Sequence, residues 1–154
     1  MSLNILLVDD HTLFREGLEG LLSRRDINIV AAVGSGQEGL RLAIELEPDV
    51  VLLDMRMPEM DGMDVLRQLR KNGFSNPVAM LTTSSDERDL VESLRSGAQG
   101  YLLKDMEPDQ LVVALRDIVA GKTVVAPDLA PVLARVVQGD SIAPAEESPF
   151  AKLT

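Results

Sequence analysis

The chain has 154 residues, enough for one domain with a sizeable core and an appended segment. Its 45% hydrophobic and 26% charged residues are those of an ordinary soluble protein, while 25 acidic against 15 basic residues leave a net charge of -10 that argues against nucleic-acid binding by this segment. Without cysteine there is no disulfide or thiolate metal site, and the apolar run Ile5 to Val8 is too short for a membrane span or a signal segment, so no membrane attachment and a cytoplasmic location are expected.

The first strand is predicted at Asn4 to Asp9 and closes on two carboxylates, Asp9 and Asp10. Phe14, Leu18, Leu21 and Leu22 follow at helical spacing, and a second strand reads at Asn28 to Val33. Leu40, Ala43 and Ile44 mark the second helix. The third strand, Val50 to Asp54, is wholly apolar until it stops on an ionisable side chain, and burying a carboxylate there costs free energy unless its charge is compensated. In the loop PEMDG, Pro58 limits freedom and Gly62 can adopt a positive φ without penalty, so both are read as shaping the loop; the Met residues of MRMPEM are expected to pack or to line the loop surface.

Val65, Leu66 and Leu69 mark the third helix, and Pro77 to Thr82 the fourth strand. Ser84 and Glu87 read as an S-x-x-E capping box for the fourth helix, with Leu90, Val91 and Leu94 on its apolar face. The fifth strand, Gly100 to Leu103, runs into Lys104, and Pro108 suits the first turn of a fifth helix carrying Leu111, Leu115 and Ile118. Residues 1–122 thus read as one α/β domain, a (βα)5 parallel sheet with helices on both faces because its strands lack polar alternation, for which the doubly wound order 2-1-3-4-5 is a known winding. Residues 123–138 read as a linker helix, with Leu129, Val132, Leu133 and Val136 at helical spacing between Pro127 and Val137, and residues 139–154 as a flexible tether.

In that sheet order strands 1 and 3 lie side by side where the winding reverses, so Asp9, Asp10 and Asp54 should converge on one crevice. Three carboxylates that close raise one another's pKa unless a cation joins them, and all-oxygen ligation with few protein groups favours Mg2+, which keeps positions open for phosphate oxygens. Thr82, Thr83 and Lys104 reach the same rim from the fourth and fifth strands. Hydroxyl, ammonium and metal are what phosphoryl transfer needs, since its catalysis is largely positioning and charge stabilisation.

The motifs ILLVDDH, VVLLDMRMPEMDG, MLTTSS and GYLLKD, in this order, make Asn4 to Gly121 resemble the receiver domain of a two-component response regulator, with a flavodoxin/CheY-like fold. GYLLKDMEP followed by AGKTVVAPDLAPVLA resembles the NarL-like subfamily, whose receivers precede a LuxR-type helix-turn-helix output domain, apparently absent from this chain. The resemblance implies that Asp54 is the phosphoacceptor and that Asp10, Asp9 (partly through water), Asp54 and the Arg56 backbone carbonyl hold Mg2+. It further implies Thr82 as the hydroxyl that closes on the phosphoryl group, Lys104 as the conserved-type ammonium and Tyr101 as a rotamer switch turning inward. A sensor histidine kinase would donate the phosphoryl group, the receiver catalysing only its own phosphorylation and dephosphorylation. DNA would be met only through the output domain, and phosphorylation would favour a homodimer. Asp105 stands after Lys104 where many receivers carry a cis-proline, so a differently shaped turn is expected.

Thr83 and His11 are read as structural, His11 as a surface or capping residue at a helix start. Two rival readings of the same winding fit less well. A Mg2+-dependent aspartyl phosphatase of the haloacid-dehalogenase kind needs a D-x-D acid where Arg56 stands, and a flavin carrier needs aromatic stacking and N–H donors where Asp9 and Asp10 stand. A receiver-shaped adaptor working without phosphorylation is the alternative that sequence leaves open.

Overall fold

The computed structural model describes residues 3–139. Six parallel strands run in the order β2-β1-β3-β4-β5-β6: β1 Leu3–Val8, β2 Ile27–Val33, β3 Val50–Asp54, β4 Val78–Thr82, β5 Gly100–Leu103 and β6 Val124–Val125. The expected order 2-1-3-4-5 holds, with a sixth strand added at the β5 edge through the pairs Gly100 with Val124 and Tyr101 with Val125. Helices α1 (Thr12–Ser23), α2 (Gly36–Leu46), α3 (Gly62–Lys71), α4 (Glu87–Arg95) and α5 (Pro108–Val119) follow the strands in turn. Every residue of β3 and β4 is buried, which is why these strands show no polar alternation.

The sheet separates two apolar cores. On one face Leu18 and Leu22 of α1 and Leu111, Leu115 and Ile118 of α5 pack on Ile5, Leu7, Leu52 and Leu81. On the other Ala43, Leu66, Leu69 and Leu90 pack on Leu6, Val8, Val51, Leu53 and Met80. Ile44, expected on the inner face of α2, is 45% exposed, because that helix meets the sheet through Gly36, Gly39 and Ala43 instead. A Cβ on Gly39 would stand 2.8 Å from Val8 Cγ2, so small residues set the approach. Met55, Met57 and Met63 are all buried in this core.

Two local expectations give way to other devices. The N-cap of α4 is Asp86, whose carboxylate accepts the Arg88 N–H at 2.8 Å, rather than Ser84; Ser84 Oγ instead accepts the Asp86 N–H and donates to Asp89. In the PEMDG loop Glu59, not Gly62, takes the positive φ, of 68°. Gly62 is required for space: a Cβ there would lie 2.3 Å from the Asp54 carbonyl oxygen and 2.8 Å from Met55 Cα. Pro108 does occupy the first turn of α5.

Residues 123–138, read as a linker helix, begin with a strand. The segment becomes helical at the 3-10 turn Pro127–Leu129, followed by α6, Ala130–Gly139. It is seated on the domain: the Ala126 N–H donates to the Tyr101 carbonyl at 2.9 Å, Ala126 and Leu129 are buried, and Val132 and Leu133 pack on the same core as α4. Apart from Gly139, which ends α6, the expected tether lies outside the described residues, as does the Val136 side chain.

Candidate functional site

The crevice forms because β1 and β3 are neighbours, Val8 pairing with Leu53, so the residues that follow them leave the sheet side by side. Asp9 is fully buried and Asp54 is 3% exposed, while Asp10 is partly exposed at the mouth. Asp9 Oδ1 accepts the His11 N–H at 2.8 Å, and the Arg15 guanidinium donates to the Asp9 carbonyl at 2.6 Å, which fixes the β1 to α1 turn. Three of the expected acids are therefore brought together.

Lys104 reaches them from β5. Its ammonium lies 2.9 Å from Asp9 Oδ2 and 3.4 Å from Asp54 Oδ1, with 11% of the side chain exposed. The turn is made without proline: the Lys104 N–H donates to the Thr82 carbonyl at 2.8 Å and the Met106 N–H to the Leu103 carbonyl at 3.1 Å. The ammonium also sits 4.7 Å from the centre of the Phe14 ring, a cation–π contact that steadies a long side chain.

One cation does not balance three carboxylates. Burial first, and the Asp9 charge second, push the Asp54 carboxyl up to about 6, against the opposing pull of Lys104 and the Arg56 N–H. Asp54 Oδ2 is buried and accepts no hydrogen bond, and Asp10 Oδ1 is likewise without one. Buried acceptors of this kind are rare, and a carboxylate is acceptor-only when ionised. The unused acceptor lone pairs of the Asp10 and Asp54 oxygens, beside Asp9, fit a hard divalent cation such as Mg2+.

The remaining expected residues stand around this centre. Thr82, 1% exposed, ends β4, and its Oγ1 accepts the Ser84 N–H at 3.0 Å. Arg56 turns its N–H toward Asp54 Oδ1 at 3.5 Å and its guanidinium away to Asp89 at 2.7 Å, leaving no acid at the second position after Asp54. Tyr101, expected to turn inward on activation, already lies inside: its ring is fully buried, its hydroxyl donates to the Ser84 carbonyl at 3.2 Å, and burial pushes its pKa up to about 12.

Sequence reasoning missed two residues here. Asp89 ties Arg56 to Ser84 and so joins the β3 loop to α4. His11 is no plain surface cap. It occupies the N-cap of α1 without capping it, and its Nδ1 stands 3.0 Å from Asp9, 3.5 Å from Asp10 and 3.6 Å from Asp54. The available signal was its adjacency to the two acids; the usual role of a helix-start residue hid it.

Known proteins carry the same arrangement of elements. Residues 5–116 match the family model of the response regulator receiver domain. The nitrate/nitrite response regulator protein NarL of Escherichia coli K12 is 44% identical over 131 residues, covering 84% of this chain and 61% of that protein. NarP of the same organism is 36% identical over 151 residues, 97% of this chain and 68% of the relative. Among solved structures, the signal receiver domain of a NarL response regulator from Mycobacterium tuberculosis matches with a TM-score of 0.75 at 34% identity, over 79% of this chain and 98% of that one. A LuxR-family two-component response regulator from Aurantimonas sp. SI85-9A1 reaches 0.84 at 30% identity, over 91% and 100%. The chain spans about three fifths of the first relative's length, 61%. With its order of strands, its acid crevice and these matches, this chain belongs to the response regulator receiver domain family, in the NarL-like branch.

Proposed function

We propose that this chain is the phosphoacceptor unit of a two-component transcription regulator, with Asp54 as the residue that is phosphorylated. One observation carries the reading: a buried carboxylate whose Oδ2 accepts no hydrogen bond lies beside a second buried acid and a lysine ammonium. Asp9, Asp10, Asp54 and the Arg56 carbonyl would hold Mg2+, which would supply charge neutralisation and orientation for phosphoryl oxygens.

An Asp54 oxygen attacks phosphorus in line as the bond to the phosphohistidine nitrogen of a sensor histidine kinase breaks, and the departing imidazole takes its electron pair. Lys104 offsets the negative charge spread over the transferred oxygens, and the Thr82 hydroxyl turns from Ser84 to donate to one of them. That movement pulls on the segment ending at Asp86, whose Ser84 carbonyl holds the Tyr101 hydroxyl, so the surface of α4, β5 and α5 changes its partner preference. In the intact regulator the changed surface favours a homodimer and frees a helix-turn-helix output domain to bind DNA.

Incubation with a small-molecule phosphodonor, with and without Mg2+, tests this by intact mass. A single phosphoryl increment that needs Mg2+ and is lost in Asp54→Ala is expected. An increment that survives Asp54→Ala removes the assignment, and no increment at all favours the adaptor that works without phosphate.

A further inference from the structure

Resting on the proposed reading that the acids hold a divalent cation, we infer that His11 is a side-chain ligand of that cation, and that its nitrogen makes the site take zinc-like transition metals better than the acids alone would. The chemistry is a mixed oxygen and nitrogen donor set. Asp9, Asp10, His11 and Asp54 each place one ligand atom so that all lie within 4.8 Å of one another.

The spacings suit shared ligation. Two ligands bonded to one metal at about 2.1 Å stand about 3.0 Å apart at a right angle and about 3.4 Å apart at the tetrahedral angle. His11 Nδ1 stands 3.0 Å from an oxygen of Asp9, at the right-angle spacing, and 3.5 and 3.6 Å from oxygens of Asp10 and Asp54, slightly beyond the tetrahedral one. The Asp54 oxygen in this set is the buried one that accepts no hydrogen bond, an acceptor aimed into the space that the imidazole closes.

The contacts of Nδ1 conflict in the absence of a metal. The Asp9 carboxylate at 3.0 Å requires a proton on that nitrogen, whereas the Lys104 ammonium at 3.3 Å requires its lone pair. A metal ion satisfies both neighbours: the lone pair goes to the metal with the Asp9 and Asp54 oxygens, and Lys104 keeps its contacts to Asp9 Oδ2 and Asp54 Oδ1. The backbone already commits His11 to this place, because its N–H is bonded to Asp9 Oδ1 and its side chain caps nothing. Imidazole adds little for Mg2+ but much for Zn2+ or Co2+, whose affinity for nitrogen donors is higher.

The test titrates Mg2+ and Zn2+ calorimetrically into the tag-free full chain and into His11→Ala, and follows the imidazole 15N spectrum, which has one spin system because the chain has 1 histidine. His11 is exposed, so its replacement leaves the core intact. The expected result is Zn2+ affinity reduced about tenfold or more by His11→Ala, Mg2+ affinity changed by less than about threefold, and a Zn2+-induced shift of Nδ1. Zn2+ affinity unchanged by the substitution, equal weakening of both metals, or a silent Nδ1 each overturns the inference while Mg2+ binding keeps the acid site. Absence of Mg2+ and Zn2+ binding in both proteins overturns the inference and the acid site together.

Discussion

Asp54 sits where folding favours the proton over the charge. A folded pKa raised from 3.8 to about 6 means that the stability gained from protonating this group is fully present below 3.8 and is lost as pH rises through about 6. Asp54→Asn removes the charge, so in a chelator the variant should be more stable than the parent by up to about 3 kcal/mol well above pH about 6, the gap closing near pH about 4. Urea denaturation at the two pH values measures this, and equal midpoints at the higher one would count against the electrostatic account. Lys104 acts in the opposite sense. Lys104→Met leaves Asp9 and Asp54 to repel one another and, on the proposed function, removes the charge that would meet incoming phosphoryl oxygens, so phosphodonor-driven labelling should slow about 10²–10³-fold. Labelling within a factor of about three of the parent would place the ammonium outside the chemistry. Asp54, Asp9 and Asp10 were legible because runs of apolar strand end on them. His11 was not, because its position at a helix start has a common capping explanation that only the absence of a capping hydrogen bond removes.

The loop between β3 and α3 shows how an element holds a residue. Gly62 N–H donates to the Met55 carbonyl at 2.9 Å, and Asp61 and Asp64 cap the helix reciprocally, so α3 starts against the end of the strand that carries Asp54. Gly62→Ala drives a methyl into the Asp54 carbonyl and Met55 Cα, and should cost at least about 2 kcal/mol. Thermal melting checks it; a midpoint matching the parent would show that the loop relaxes. The glycine itself was legible in PEMDG, but the reason for it was not, since positive φ and close approach leave the same letter in a sequence. Ser84 illustrates the same ambiguity: S-x-x-E matches a capping box, yet Asp86 lies nearer the first turn and its carboxylate is the stronger acceptor for the exposed N–H groups.

At the scale of the whole molecule, the sheet extends past the five strands that the alternation announces. β6 joins the edge of β5 and leads into a turn that buries Leu129 at 2% exposure, so the segment after Gly121 belongs to the folded unit. Leu129→Ala should therefore destabilise the domain by about 2–4 kcal/mol in urea unfolding, whereas Val113→Ala, at a site 60% exposed, should stay within about 0.5 kcal/mol. Equal effects would mean that the segment contributes nothing to the fold. The seat ties the segment to the core: it hangs on the Tyr101 carbonyl and packs on the α4 side, and Arg135 pairs with Glu87 at 3.4 Å. Among the described residues no helix is long and apolar enough to cross a membrane.

The sequence by itself determined the alternation of strands and helices and the two-faced burial of the sheet, because apolar periodicity is a chain-local signal, while the strand order that joins Asp9, Asp10 and Asp54 was legible only through the likeness of its motifs to a known family. Tertiary structure alone decided the sixth strand, the inward place of Tyr101 and the turn of His11 into the acids. A two-residue strand has too few letters to announce itself. Where a side chain comes to rest depends on the space and charge that distant segments leave for it.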